Sequence, residues 1–320
     1  IEVFIAIPSA SRQRRNNIIN FLEPFPVAVR SLPGVSAIAE GKVKINDLLD
    51  IDIDDLLGRS VAVSDKTLLK KNINEKVVLV TGAGGSIGAE LCRQLLLLKP
   101  KCIVLFDINE YSLYKINAEI ESIERGDSEF IPVLGSVQDR QRLTQVCQHF
   151  SIQVIYHAAA YKHVPLVQIN PIEGIKNNVF GTYTLSMAAI EHKIDNFVLI
   201  STDKAVNPTN SMGASKRVAE LILQALSNET DLIFDQVNKK TFENNTQFSM
   251  VRFGNVLNSS GSVIPLFTKQ IQEGGPITIT HKDVTRFFMT IPEAANLVME
   301  AGELSSGGEV FILNMGDQVK

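Results

Sequence analysis

An acid and a base stand side by side at Thr202-Asp203-Lys204, directly after the apolar run 197–200. A carboxylate and an ammonium at the end of a core strand cost desolvation unless that end opens on a cleft. In a cleft, neighbouring acid and base suit an elimination: one removes a proton while the other assists a departing group. The plainer alternative is a solvated surface pair. A second chemical feature lies upstream, where Val77-Val78-Leu79-Val80 runs into Thr81-Gly82-Ala83-Gly84-Gly85-Ser86-Ile87-Gly88 and a helix-like stretch follows from Ala89 to Leu98. Gly82 permits a tight turn, Gly85 lets backbone approach a pyrophosphate, and Gly88 lets the helix pack closely, with the helix N-terminus facing the anion. Strand before and helix after give this spacing its meaning as a dinucleotide site.

Asp107 ends the next apolar run, at the distance from Gly88 where a carboxylate meets the hydroxyls of an adenosine ribose. It favours NAD over NADP, because a carboxylate repels a 2′-phosphate and Phe106-Asp107-Ile108-Asn109-Glu110 contains no Arg. The alternative for Asp107 is a cap on the following helix. His157, at the end of another run, reads as a structural strand-end residue, since nothing pairs with it in sequence.

The elements that position these residues follow from hydrophobic patterning. Short Val/Ile/Leu runs at 77–80, 102–106, 131–134, 153–156 and 197–200 alternate with helix-length amphipathic stretches. This predicts an α/β fold, a Rossmann-type doubly wound parallel sheet. After Asn228 the polar stretch Thr230–Gln247 interrupts, and a strand through Met250 and Val251 opens a Gly- and Pro-richer region expected to form a smaller C-terminal substrate lobe. The expected division is 1–70 as the end of a smaller α/β domain plus linker, then a catalytic domain over 71–320. Within it the NAD-binding core covers about 75–228 and the substrate lobe mainly 250–320. In the first part, a strand at Glu2–Ile7, a helix at Ser9–Leu22 and a strand near Pro26–Val29 lead to a turn at Leu32-Pro33-Gly34 and a packed linker at Asp47–Asp55. The chain opens on Ile1 within a strand-like run, so it is expected to be a piece of something longer.

Composition narrows the classes. With 45% hydrophobic and 21% charged residues, 320 residues can build a large core, and a net charge of −4 leaves no basic footprint for nucleic acid. The three cysteines, Cys92, Cys102 and Cys147, show neither metal spacing nor a disulfide framework, so no metal site is expected. No run of about 18 apolar residues is present, and no membrane contact is expected of this piece.

Lys216 opens a helix-like stretch in Met212-Gly213-Ala214-Ser215-Lys216, where short-chain dehydrogenases normally carry Tyr-x-x-x-Lys. The tyrosine takes a hydroxyl proton and the lysine holds the ribose; Met212 cannot do the former, so Asp203 and Lys204 become the available substitute. Together with Ala159-Ala160-Tyr161-Lys162-His163-Val164-Pro165, Ser201-Thr202-Asp203-Lys204-Ala205, Asn207–Lys216 and Val251-Arg252-Phe253-Gly254-Asn255-Val256-Leu257, the glycine loop closely resembles the bacterial UDP-N-acetylglucosamine 4,6-dehydratases of surface-polysaccharide synthesis. The likeness runs from Lys76 to the end and is specific, because the large membrane-associated members carry Met at the tyrosine position. Residues 1–70, with Ala6-Ile7-Pro8-Ser9-Ala10 and Asp55-Leu56-Leu57-Gly58-Arg59, resemble the end of the smaller domain that precedes the catalytic one in those members.

The resemblance implies a recycled NAD and a reaction in three parts: C4 oxidation of a UDP-N-acetylhexosamine, loss of water across C5 and C6, and hydride return to C6. It implies Lys204 as the C5 base, Asp203 as the acid, Thr202 near O4, and Met212 and Lys216 beside them. For NAD it implies Gly82, Gly85, Ser86, Ile87, Gly88, Asp107, Ile108, Asn109, Ser136, Val137, Ala158, Ala159, Ala160, Asn178, Ser201 and Lys216. For the UDP-sugar it implies Lys162, Asn255, Ser260, Gly261, Ser262, Val263, Ile264 and Arg286, while Arg252 reads as structural. It further implies a homo-oligomer and a place at the cytoplasmic face of the inner membrane, with transmembrane helices elsewhere in the full chain, serving capsule or lipopolysaccharide. Two alternatives stand beside it. A nucleotide-sugar C4-epimerase needs no elimination and so no Thr-Asp-Lys; a non-catalytic dinucleotide-binding scaffold would explain the missing tyrosine.

Overall fold

The computed structural model describes residues 1–7, 9–22, 24–25, 27–31, 49–50, 69–70, 73–123, 126–235, 240–259, 261–279 and 281–319. The expected turn at Leu32–Gly34, the Asp55–Arg59 segment, most of the expected linker and Ser260 lie outside them. In the first segment β1 (Glu2–Ile5) pairs in parallel with β2 (Ala28–Ser31), with α1 (Arg12–Leu22) between them in sequence, and β3 (Leu49–Asp50) joins β2 antiparallel.

The main sheet is wholly parallel, as the alternating pattern predicts. It comprises β4 (Val77–Thr81), β5 (Cys102–Asp107), β6 (Glu129–Leu134), β7 (Val154–His157), β8 (Asn196–Ile200), β11 (Gln247–Arg252) and β14 (Val310–Ile312), in the spatial order β14-β11-β8-β7-β4-β5-β6. Every residue of β4, β5 and β7 is buried, which is why these strands read as unbroken apolar runs. Alternation decides which face each serves. Val78, Val80, Ile103 and Leu105 pack into one core layer, and Val77, Leu79, Cys102 and Val104 into the other.

The helices are α2 (Ser86–Leu96), α3 (Glu110–Glu121), α4 (Arg140–Phe150), α5 (Val164–Ile169), α6 (Pro171–Ile175), α7 (Gly181–Glu191), α8 (Ser211–Ser227), α9 (Val263–Gln272) and α10 (Ile291–Leu304). A π-helical turn, Lys176–Phe180, joins α6 to α7. Side-chain caps mark where several start: Asn109, Asp139, Asn210 and Thr290 each accept a hydrogen bond from a backbone N–H of the first turn. Two features were not expected. The polar stretch after Asn228 folds into an antiparallel pair, β9 (Asp231–Asp235) and β10 (Lys240–Glu243), and the three-residue β14 extends the sheet beyond β11. A small parallel pair, β12 (Asn255–Val256) and β13 (Phe288–Met289), completes the C-terminal part.

Candidate active site

Strand order places the crevice. From β4 the chain winds outward through β5 and β6, then returns to β7 on the other side of β4 and continues outward to β14. Between the carboxyl ends of β4 and β7 the connections diverge, and in open α/β sheets ligands bind there. Gly82 turns at this point with φ +67°, and a Cβ on it would lie 2.7 Å from the Ala159 nitrogen and 2.8 Å from the Ala158 carbonyl carbon. Only glycine therefore lets the loop rest on the half-buried Ala158–Ala160 backbone. Gly88 is pressed against the Gly82 carbonyl, so its missing side chain lets α2 approach the loop itself. Gly85 is the N-cap of α2 and provides no capping side chain, so that end of the helix, with Ser86, Ile87 and Gly88, is presented to an anion.

Asp107 ties this loop to β5. Its Oδ2 accepts from the Gly84 N–H at 2.8 Å and its Oδ1 from the Asn109 N–H at 2.8 Å. The cap on α3 is Asn109, not Asp107. Ile108 is exposed beside them, and Ser136 receives the Gln138 N–H. Val137 is buried in the core layer that contains Leu143 and Leu185.

Under the crevice lies a chain of buried polar contacts. His157 is fully buried, with Nδ1 2.7 Å from Thr81 Oγ1 and Nε2 3.0 Å from Thr182 Oγ1. Thr182 spends its hydroxyl proton on the Asn178 carbonyl, which assigns the imidazole proton to Nε2 and makes Nδ1 an acceptor. Burial, and secondarily the charge of Lys216, lowers the His157 pKa to about 3, so the ring is a neutral brace. Asn178, on the π-helical turn, holds both the N–H and the carbonyl of Tyr161 and reaches Ser215 Oγ and Asn177 Nδ2. All four positions of its amide are taken by protein, which makes it a brace for the β7 exit.

The acid–base pair sits on a short 3₁₀ turn, Asp203–Ala205, capped by Thr202. Asp203 Oδ1 accepts from Lys204 Nζ at 3.0 Å and from Thr202 Oγ1 at 2.9 Å, and Lys204 Nζ also reaches Asn255 Oδ1 at 3.3 Å. The side chains are 37% and 29% exposed, so the pair lines an opening and is neither a core salt bridge nor a free surface pair. Two glycines make room for it. A Cβ on Gly213 would strike the Lys204 carbonyl, and one on Gly254 would lie 3.2 Å from Asp203 Oδ2. Met212, in the first turn of α8, is buried. Lys216, one turn on, is also buried, and burial lowers its pKa to about 8 against the opposing charge of Glu220.

Ser201, expected among the cofactor-binding residues, donates its hydroxyl to Glu220 Oε1 at 2.6 Å inside the protein. Arg252 also serves Glu220, with Nε 2.8 Å from Oε1 and Nη2 2.5 Å from Oε2, which agrees with its structural reading. Sequence reasoning missed Glu220; its place one turn after Lys216 on an otherwise apolar helix face was the available signal.

The expected sugar and diphosphate contacts are gathered less tightly. Asn255 touches Lys204; Lys162 and Arg286 are exposed, and Arg286 donates to the Thr285 carbonyl. Gly261 (φ +69°) lies against the His163 imidazole, and Ser262 is the N-cap of α9, whose first residues are Val263 and Ile264. Among the described residues no cluster could hold a metal ion, and no helix is long and apolar enough to cross a membrane.

The crevice suits a dinucleotide: a glycine turn on bare backbone, a helix end without a capping side chain, a carboxylate held at the end of β5, and a buried lysine opposite. Fold and site define an extended short-chain dehydrogenase/reductase. Residues 78–320 match the family described as "Polysaccharide biosynthesis protein", and the chain belongs to it. It is 45% identical to the capsular polysaccharide biosynthesis protein CapD of Staphylococcus aureus, over 100% of this chain and 51% of that protein. The chain thus spans about half the length of that relative. It is 34% identical, over 75% of this chain and 67% of that protein, to a UDP-N-acetylglucosamine 4,6-dehydratase (inverting) of Campylobacter jejuni. The X-ray structure of Pen from Bacillus thuringiensis superposes with a TM-score of 0.68 at 34% identity, covering 76% of this chain and 72% of that one.

Proposed function

We propose that the chain catalyses NAD-dependent 4,6-dehydration of a UDP-N-acetylhexosamine, with UDP-N-acetylglucosamine as the substrate of choice, for surface-polysaccharide synthesis. The observation that carries this reading is the Thr202–Asp203–Lys204–Asn255 cluster at the carboxyl edge of the sheet, beside a dinucleotide crevice whose tyrosine position is Met212. NAD, when bound, supplies the hydride acceptor that makes C4 a ketone and hands the hydride back at C6. Gly82–Gly88 receive its pyrophosphate, Asp107 its adenosine ribose and Lys216 its second ribose.

A ketone at C4 acidifies the C5 hydrogen, and the remaining chemistry belongs to the Asp203–Lys204 pair. Their 3.0 Å hydrogen bond lets the shared proton pass from Lys204 Nζ to Asp203 Oδ1, giving a free amine and a neutral acid in one step. A sugar that closes the opening favours this uncharged form, because excluding water raises the cost of the two charges. The amine takes the C5 proton, the C5–C6 double bond forms, and the acid protonates the departing C6 hydroxyl, so water leaves and the ion pair returns; Lys204 Nζ then gives a proton back to C5 as hydride reaches C6, and the proton that the C4 hydroxyl released on oxidation restores the ammonium. Thr202, hydrogen-bonded to Asp203 Oδ1, holds the carboxyl toward the sugar near O4.

The preceding smaller domain, the cytoplasmic face of the inner membrane and a homo-oligomeric state belong to the same reading. The test is direct: protein incubated with UDP-N-acetylglucosamine should give a product lighter by one water with no net NADH. An isomer of unchanged mass would favour the epimerase, and unchanged substrate the scaffold.

A further inference from the structure

Glu220 is fully buried in the middle of α8 and accepts four hydrogen bonds: from Ser201 Oγ and Arg252 Nε on Oε1, and from Arg252 Nη2 and Arg217 Nη1 on Oε2. Burial alone would raise its pKa, but the bonds from Arg252, Ser201 and Arg217 bring it below the usual carboxylate value, so it is ionised. Buried ion pairs of this kind add little stability once desolvation is counted. What this one does add is a set of fixed neighbours. Ser201 immediately precedes Thr202-Asp203-Lys204. Arg252 ends β11, three residues before Asn255, which touches Lys204 Nζ. Lys216 lies one turn earlier on the same helix and feels the Glu220 charge.

We infer that Glu220 is the positioning residue of the site, a single buried carboxylate that fixes the Thr202–Lys204 turn, the Asn255 strand end and Lys216 relative to one another through Ser201, Arg252 and α8. The inference rests on the dehydratase reading for what the positioned groups do, but the arrangement serves any proton transfer at that pair. Orientation is where such a device matters, because small misplacements of a catalytic group cost large factors in rate.

Substituting Glu220 would remove all four bonds at once and leave the mostly buried Arg252 guanidinium without its partner, so the informative change is Ser201→Ala, which removes one tether and leaves the ion pair. NAD-loaded Ser201→Ala protein should show kcat lowered about tenfold, with KM for UDP-N-acetylglucosamine, NAD content and Tm close to wild type. Ser201→Thr, which keeps the hydroxyl, should recover most of the rate. Arg252→Lys, which keeps charge but loses the two-pronged grip, should lower kcat to a similar degree. Should Ser201→Ala turn over at the wild-type kcat, or lose rate only in proportion to lost folded protein, the positioning role is overturned. If wild type makes an isomer in place of the dehydrated sugar, the dehydratase reading fails separately, and the Ser201→Ala comparison on that turnover still decides the role of Glu220.

Discussion

Asp203 and Lys204 were legible as chemistry because residue type alone flags an acid–base pair after a core strand, and the structure adds their mutual geometry. What spacing could not show is the direction a side chain points. The side chains of Ser201 and Asn178 hydrogen-bond within the protein, which spacing does not reveal, and the one signal for Glu220, its place a turn after Lys216, is a signal that a solvated glutamate would also give. Gly213 makes a sharp prediction at this scale. Its hydrogen side chain is all that separates α8 from the Lys204 carbonyl, so Gly213→Ala must push the Asp203–Ala205 turn away. A destabilisation of about 1–3 kcal/mol, seen in denaturant melts, should accompany a fall in dehydration rate larger than the loss of folded protein explains. Lys216 carries a pH prediction. Its pKa of about 8 in the free protein means that below pH 8 it donates as an ammonium, whereas above it the charge is lost. Ribose hydroxyls favour the charged donor, so NAD affinity measured by calorimetry should fall as pH rises from 7 to 9, and Lys216→Met should bind about tenfold or more weakly with little of that slope.

At the scale of elements, the five strands from β4 to β8 were legible to within one or two residues: burial on both faces makes β4, β5, β7 and most of β8 continuous apolar runs, and the more exposed edge strand β6 still carries the run Ile131-Pro132-Val133-Leu134. The β9–β10 pair was not, since its residues alternate charge and apolarity over too few positions, and β14 is three residues long and takes its identity from pairing with β11. Helix α2 shows what the sheet asks of its cover. Leu91 and Leu95 are fully buried one turn apart and pack in the layer that also holds Val298 and Met299 of α10. Leu95→Ala should cost about 2–5 kcal/mol in reversible unfolding, from lost burial plus the cavity left. NAD that binds only the folded chain should raise the melting temperature of Leu95→Ala as it raises that of wild type; no shift on adding NAD to either protein would argue against the crevice as its site.

For the whole molecule, exposed apolar side chains occur along much of the chain, and one series falls on consecutive elements. Leu166, Ile169, Ile172, Ile175, Phe180 and Tyr183 are all exposed and follow one another along α5, α6, the π-helical turn and α7, and exposed apolar surface that gathers into a patch marks a contact between molecules. A second copy of the chain is the occupant we expect. Light scattering should then give at least a dimer, and Ile169→Glu with Ile172→Glu should shift it toward monomer; a wild-type monomer at micromolar concentration would remove the expectation. The central claim concerns the crevice and the pair that faces it, and Lys204→Met incubated with UDP-N-acetylglucosamine in deuterated water tests it most directly. The account predicts that this variant still binds NAD and UDP, loses dehydration by about 10²-fold or more, and no longer exchanges the C5 hydrogen with solvent, while wild type releases a sugar lighter by one water. Exchange and dehydration at the wild-type rate in Lys204→Met would contradict it.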